Sequence, residues 1–141
     1  MPLSKREREE FLAEPHIAAL SVAAAPDRAP LTVPIWYHYE PGGDPWVLTG
    51  AESRKWQLLE AAGRFTLMVD RLEPTARYVS VEGPIAHTEP ATDEHVWQVA
   101  SRYLPDEKAK AYLGYHNAVL GEHVVVSMRP QRWLSADMGG W

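Results

Sequence analysis

The chain has 141 residues, of which 45% are hydrophobic and 23% charged, and its formal net charge is −5. These values are typical of one soluble globular domain, which we expect to span residues 1–141, and they argue against a disordered chain or a general nucleic-acid binder. The chain has no cysteine, which excludes disulfides, thiol nucleophiles, iron–sulfur clusters and thiolate zinc sites.

The first predicted elements are a helix and a β-hairpin. The N-terminal segment is charged, unlike a secretory signal, and no apolar run reaches the length of a membrane span, so we expect a cytoplasmic protein. Ser4 and Glu7 fit a capping box and predict a short amphipathic helix over residues 4–14. The apolar runs 17–24 and 31–40 flank a turn rich in proline, and they predict two paired strands.

The middle of the chain alternates short strands with one helix. A strand is predicted over residues 46–49 and a helix over residues 52–62, where leucine and alanine recur at helical spacing before Gly63 ends it. Strands are then predicted over residues 65–69 and 77–87. The longer of these alternates apolar and polar side chains, which indicates one buried and one open face.

The last third of the chain contains a helical excursion and two strands. Helical periodicity predicts a helix from Thr92 to Tyr103, although Thr92 with His95 lacks the residues of a capping box. A further helix over residues 106–113 precedes strands over residues 123–128 and 131–135, the last two being bent at a proline. Consecutive hairpins with few helices predict a mainly β fold, an antiparallel barrel of about seven strands with helices.

The segment that carries chemistry lies where a strand ends at Gly50 and a helix begins. Ser53, Arg54 and Lys55 open that helix, and two cations in a first turn oppose the helix dipole by about 0.3–1 kcal/mol each. A bound phosphate would reverse that sign, because free N–H groups, a hydroxyl and two cations would face one anion. The spacing alone leaves open a second interpretation, in which the two cations are a solvated pair screened by Glu52.

Several motifs occur together in one order: Pro34-Ile35-Trp36-Tyr37, Trp46-Val47-Leu48-Thr49-Gly50, Ser53-Arg54-Lys55 and Arg77-Tyr78-Val79-Ser80-Val81-Glu82-Gly83. This order resembles the pyridoxamine-5′-phosphate-oxidase-like family of FMN-binding split barrels, and most of all its small flavin- or deazaflavin-dependent oxidoreductases. The resemblance covers residues 17–88 and, more loosely, 132–134. It implies a split-barrel homodimer in which FMN or the deazaflavin coenzyme F-420 lies in a groove at the dimer interface.

The resemblance also implies which residues contact the cofactor. Ser53, Arg54 and Lys55 would hold the phosphate, and Thr49 and Gly50 would approach the ribityl chain. The ring would be lined by Val33, Pro34, Ile35 and Trp36. Arg77 and Tyr78 would make further contacts across the interface. Trp133 would stand in for a C-terminal tryptophan that the larger oxidases place near flavin and substrate. Those oxidases also carry an arginine there, and none follows Trp133, which argues against oxidation of pyridoxine phosphate.

Two functions follow from this resemblance. The first is an oxidoreductase that transfers hydride between FMN or F-420 and a small organic substrate, with Tyr37 as the candidate catalytic proton donor and Tyr78 or water as alternatives. The second is a non-catalytic flavin or haem carrier of the same fold, with a lone histidine such as His38 or His116 as haem ligand. The six histidines show no HxH or HxxxH spacing, so no metal site is predicted.

Overall fold

An antiparallel sheet of eight strands is the centre of the computed structural model, which describes residues 1–140. The strands are β1 Ala18–Val22, β2 Leu31–Ile35, β3 Tyr37–His38, β4 Trp46–Gly50, β5 Arg64–Arg71, β6 Arg77–Pro90, β7 His123–Met128 and β8 Arg132–Asp137. The helices are α1 Lys5–Ala13, α2 Arg54–Ala62, α3 Asp93–Tyr103 and α4 Asp106–Tyr115, and a π-helical turn, His116–Leu120, follows α4. Within residues 1–140, no helix has both the length and the apolar character that crossing a membrane requires.

The long strand β6 joins the two halves of the sheet. The strand order is β2-β1-β5-β6-β7-β4-β3, and β8 pairs with the first half of β6. Residues 77–84 of β6 pair with β5, whereas residues 85–90 pair with β7. Because one strand serves both halves, the sheet curls into a half-barrel, and the predicted mainly β, antiparallel split-barrel fold is confirmed.

The turn between β7 and β8 packs closely against β6 at Gly83. A Cβ atom added there would lie 1.8 Å from the carbonyl oxygen of Arg129, in the turn between β7 and β8. The same turn is bound on both sides of the glycine, because Arg129 N–H donates to Pro84 at 2.9 Å and Gln131 N–H donates to Glu82 at 2.9 Å. Only a residue without a side chain allows this close approach of two backbones.

The hydrophobic core lies between the curled sheet and the N-terminal helix. Phe11 and Leu12 of α1 are buried, as the sequence predicts, and they pack with alternate residues of the central strands. Strand alternation produces this packing, since every second side chain of β1 and β5 points inward.

Three local features differ from the prediction. The expected strand 31–40 is interrupted at Trp36, which lies between β2 and β3. A capping box does form at the start of α3, because the Thr92 N–H donates to Nδ1 of His95 at 3.0 Å, a role usually taken by Glu or Gln. The π-helical turn after α4 was not predicted, and it extends the helical excursion beyond residue 113.

Candidate functional site

A cavity of about 450 Å³ lies between the sheet and the helices α2, α3 and α4. Its volume is within the range of about 300–1,000 Å³ that is usual for small-molecule sites. Most of the wall is apolar, and four polar or charged side chains reach it. The lining residues are Ile17, Pro34, Ile35, Trp36, Leu48, Lys55, Val96, Val99, Tyr112, His116 and His123.

One wall of the cavity is an aromatic stack centred on Trp36. The Trp36 ring stacks on Tyr103 with centroids 4.7 Å apart and an interplanar angle of 14°, and the Tyr112 ring lies 5.4 Å away. Tyr103 is itself fixed, because its hydroxyl donates to the carbonyl of His16 at 2.8 Å. Tyr103 thus supports Trp36 from behind, and Trp36 and Tyr112, tilted by 41° to each other, line the cavity.

Three of the four predicted ring-lining residues reach this cavity. Pro34, Ile35 and Trp36 line it, whereas Val33 lies in a separate shallow groove of about 330 Å³ across β1, β2 and β5. Pro34 lines both the cavity and this groove.

Lys55 brings a cation into the apolar cavity. Its side chain is half-buried at the start of α2, and burial lowers the pKa of its ammonium group. No carboxylate of residues 1–140 lies within salt-bridge distance of it; every ion pair in that part of the chain involves other residues. A half-buried ammonium without an acidic partner favours a bound anion, which would supply the missing charge.

At the start of α2, the Ser53 hydroxyl caps the helix, and two backbone N–H groups have no partner in the described part of the chain. The Ser53 hydroxyl accepts from the N–H of Trp56 at 3.1 Å and donates to the carbonyl of Gly50 at 2.8 Å. The backbone N–H groups of Arg54 and Lys55 have no hydrogen-bond partner among residues 1–140. The hydroxyl thus holds the helix end in place, and two backbone donors remain for a ligand.

The opposite side of this helix start does not suit an anion. A second cavity of about 390 Å³ there is lined by Glu52 and Glu122, whose carboxylates disfavour a phosphate. The Arg54 side chain is exposed and lines neither cavity. Thr49 is buried, with its hydroxyl 3.1 Å from that of Ser53. Of the predicted phosphate residues, Lys55 alone has a side chain that lines the apolar cavity.

Two histidines that no sequence spacing connects meet at the cavity wall. The rings of His116 and His123 lie 4.3 Å apart, one from the π-helical turn and one from β7. His116 is 5% exposed, and both of its ring nitrogens are buried without a hydrogen-bond partner. Burial, and then the neighbouring His123, lower the pKa of His116. The sequence predicted His116 only as a haem ligand and gave His123 no role, because no local signal predicts the π-helical turn that joins them.

Tyr37 lies away from the cavity. It has no exposed surface, and its hydroxyl donates to the carbonyls of Leu12 and, at 2.9 Å, of Glu14. Burial raises the pKa of this hydroxyl, which further opposes release of its proton. In this structure Tyr37 is therefore not available as the proton donor that the sequence analysis proposed; it joins β3 to the end of α1.

The other predicted contacts lie on β6 and β8, outside the cavity of the same chain. Arg77 donates from Nε to Asp137 at 2.9 Å, and the guanidinium of Arg8 lies 4.6 Å from the Trp133 ring centroid. Tyr78 is beside Arg77 on the strand, and it also does not line the cavity. These three residues do not meet Lys55 within one protomer.

Comparison with known proteins gives one family and a set of similar folds. The family model described as pyridoxamine 5′-phosphate oxidase matches residues 4–136. A search of curated proteins finds no match. The conserved hypothetical protein Rv2991 from Mycobacterium tuberculosis is 25% identical, with a TM-score of 0.69 over 96% of this chain and 85% of that chain.

Two further solved structures share the fold. An F420 reductase is 18% identical, with a TM-score of 0.61 over 89% of this chain and 94% of that chain. A heme binding protein from Mycobacterium smegmatis is 19% identical, with a TM-score of 0.64 over 100% of this chain and 56% of that chain. This chain thus spans about half the length of the heme binding protein.

Proposed function

The chain belongs to the pyridoxamine 5′-phosphate oxidase family, as its motifs predicted, and we propose that it binds a phosphate-bearing redox cofactor, FMN or coenzyme F-420, in the cavity beside Lys55. The observation that carries the proposal is the Lys55 ammonium group, which is half-buried in an apolar cavity and has no acidic partner among residues 1–140. Burying an unpaired charge is costly, and an anionic ligand removes that cost.

The side chains present fit such a cofactor. Lys55 provides an ammonium donor for a phosphate at the cavity wall. Ile35, Trp36 and Val99 form apolar walls that exclude water from a flat ring and orient it. When bound, the cofactor supplies the hydride or electron chemistry, and the protein contributes position and electrostatics.

The activity that we propose is that of an oxidoreductase acting on a small organic substrate. The apolar cavity supports this proposal, and an F420 reductase has the same fold. Tyr37 is engaged by backbone carbonyls, so the proton that accompanies hydride transfer comes from solvent or from a group at the cavity wall.

A second candidate, a haem carrier, is favoured by one specific observation. His116 presents a buried imidazole without a hydrogen-bond partner at the cavity wall, and a neutral imidazole nitrogen is a common haem ligand. His38, the other histidine considered, stacks on Trp46 at 5.0 Å and does not line the cavity.

Binding and absorbance measurements with three ligands separate these candidates. The purified protein is mixed with FMN, with coenzyme F-420 and with haemin, and affinity and the bound spectrum are recorded for each. We expect saturable binding of FMN or F-420, followed by turnover when the reduced complex receives an electron-poor substrate. A carrier would hold the reduced cofactor without passing hydride on, and tight haemin binding with an iron–imidazole spectrum would favour the second candidate.

A further inference from the structure

His123 faces the same cavity as Lys55, and its hydrogen bond determines what it can offer a ligand. Nδ1 of His123 lies 2.9 Å from the carbonyl oxygen of Gly121. A carbonyl only accepts, so Nδ1 carries the proton, and in the neutral ring Nε2 carries a lone pair. Nε2 has no hydrogen-bond partner in residues 1–140, and it is not among the buried atoms. Nε2 therefore becomes a donor to an anion only when the ring takes up a second proton.

His116 is the neighbour of His123, and the two rings differ in how accessible their nitrogens are. The His116 ring lies 4.3 Å from that of His123, and both of its nitrogens are buried without a hydrogen-bond partner among the described residues. Burial and the adjacent ring lower the pKa of His116, which keeps it neutral near pH 7. Of the two imidazoles, His123 is the one whose unpaired ring nitrogen is not buried, so a ligand can contact it.

The charged groups around His123 lie on two sides. On the cavity side are Lys55 and the neutral groups of His116 and Tyr112. On the outer side, Glu122 shares two grooves with His123, and Asp93 shares one of them. Glu89 also lines one of these grooves, where it pairs with His87 and His95, and Asp93 accepts a hydrogen bond from Asn117.

We propose that His123 and Lys55 hold the anionic group of the ligand between them, and that the ligand binds with uptake of a proton by His123. This inference rests on the proposed function, because it concerns the same cavity. The phosphate would accept one hydrogen bond from the ammonium group of Lys55 and one from the protonated Nε2 of His123. Anion binding and imidazole protonation then strengthen each other.

The test compares wild type with His123→Gln at pH 8 and pH 6. The probe is FMN or, if FMN does not bind, coenzyme F-420, and affinity is measured by calorimetry in two buffers of different ionisation enthalpy. Glutamine retains a polar side chain but does not titrate. We expect the ratio of wild-type to variant affinity to rise about tenfold from pH 8 to pH 6, with proton uptake in wild type only, because an anion near an imidazole favours its charged form by about one pKa unit or more.

Two controls isolate the anionic group and the residue. A phosphomonoester itself titrates near pH 6, but wild type and variant share that effect, so it cancels in the ratio. Riboflavin or its deazaflavin analogue, without phosphate, should bind both proteins with the same ratio at both pH values. His87→Gln, which changes an exposed imidazole that does not line the cavity, should leave every ratio near one.

The outcomes distinguish this inference from the proposed function. If FMN or F-420 binds but the ratio is the same at pH 8 and pH 6, the inference is overturned and cofactor binding stands. An equal loss for the phosphate-free ligand would also overturn it, since His123 would then contact the ring. If neither cofactor binds wild type at either pH, the proposed function fails and the inference fails with it.

Discussion

Tyr37 shows how a single side chain determines the position of an element. Its buried hydroxyl donates to the carbonyls of Leu12 and Glu14 and so holds the end of α1 against β3. Tyr37→Phe removes both hydrogen bonds and takes the hydroxyl donor from the buried Leu12 carbonyl, and we expect the free energy of unfolding to fall by about 1–3 kcal/mol. Urea denaturation measures this loss.

The same variant tests whether Tyr37 takes part in catalysis. Because the hydroxyl does not reach the cavity, cofactor affinity and hydride-transfer rate should change by only a fewfold. A general acid contributes about 10²–10⁴-fold to a rate. A loss of that size with unchanged cofactor affinity would contradict the structural role.

The Asp137 carboxylate makes the stability of the fold decrease at acidic pH. Hydrogen bonds from the Thr75 hydroxyl, the Gly139 N–H and the Arg77 guanidinium lower the pKa of Asp137 to about 2 from its ordinary value of 3.8. Because the pKa of Asp137 is lower in the folded state, its contribution to the free energy of unfolding is complete above the pKa of the unfolded state. The contribution is lost as the pH falls through the pKa of the folded state. The stabilisation should therefore disappear between about pH 5 and pH 2.

Asp137→Asn tests this assignment by acid unfolding. The difference in unfolding free energy between wild type and variant should be constant above about pH 5 and should shrink toward pH 2. A difference that stays the same down to pH 2 would show that Asp137 is not the titrating group.

At the scale of elements, the packing of the β7–β8 turn against β6 depends on one glycine. In Gly83→Ala the new Cβ would meet the Arg129 carbonyl oxygen at 1.8 Å, and the backbone would have to move. We expect a loss of at least about 2 kcal/mol of stability, because the hydrogen bonds on both sides of Gly83 would be disturbed. The matched control is Gly114→Ala in α4, where a Cβ meets nothing within 4 Å and helix propensity predicts a gain of about 0.5–1 kcal/mol. Equal stability of the two variants would contradict the role of Gly83.

Elements with local signals were predictable, and those fixed by distant contacts were not. The β1–β2 hairpin and the α2 helix follow from turn residues and periodicity, including Gly63 in the left-handed conformation at φ 71°. The pairing of β8 with β6 has no local signal, because the turn after β7 redirects the chain around Gly83.

The candidate site likewise contains residues that the sequence predicted and residues that it did not. Lys55 was predicted as a phosphate ligand from the family resemblance, since the helix-dipole argument alone left a solvated pair open, and it lines the cavity. Ser53 was predicted as a phosphate ligand too, yet its hydroxyl caps the helix. His116 and His123 come together only through the π-helical turn, whose hydrogen bonds no short motif in the sequence predicts.

For the whole molecule, we propose a homodimer with the cofactor between subunits. Arg77, Tyr78 and Trp133 do not reach the cavity of their own chain, and Leu134 of β8 is 64% exposed on the outer face. A second copy would cover that face and complete the contacts that the family resemblance implies. Sedimentation should show a dimer, and a stable monomer with and without cofactor would contradict this assembly.

Cofactor affinity of Lys55→Ala is the measurement that tests the central claim most directly. Charge-assisted hydrogen bonds contribute about 1.5–3 kcal/mol, so FMN or F-420 should bind the variant about ten- to a hundredfold more weakly. The fold should be retained, and Lys110→Ala, which removes an exposed cation from α4, should bind as wild type does. Affinity that is unchanged in Lys55→Ala, or equally reduced in both variants, would show that the cavity beside Lys55 does not hold the phosphate.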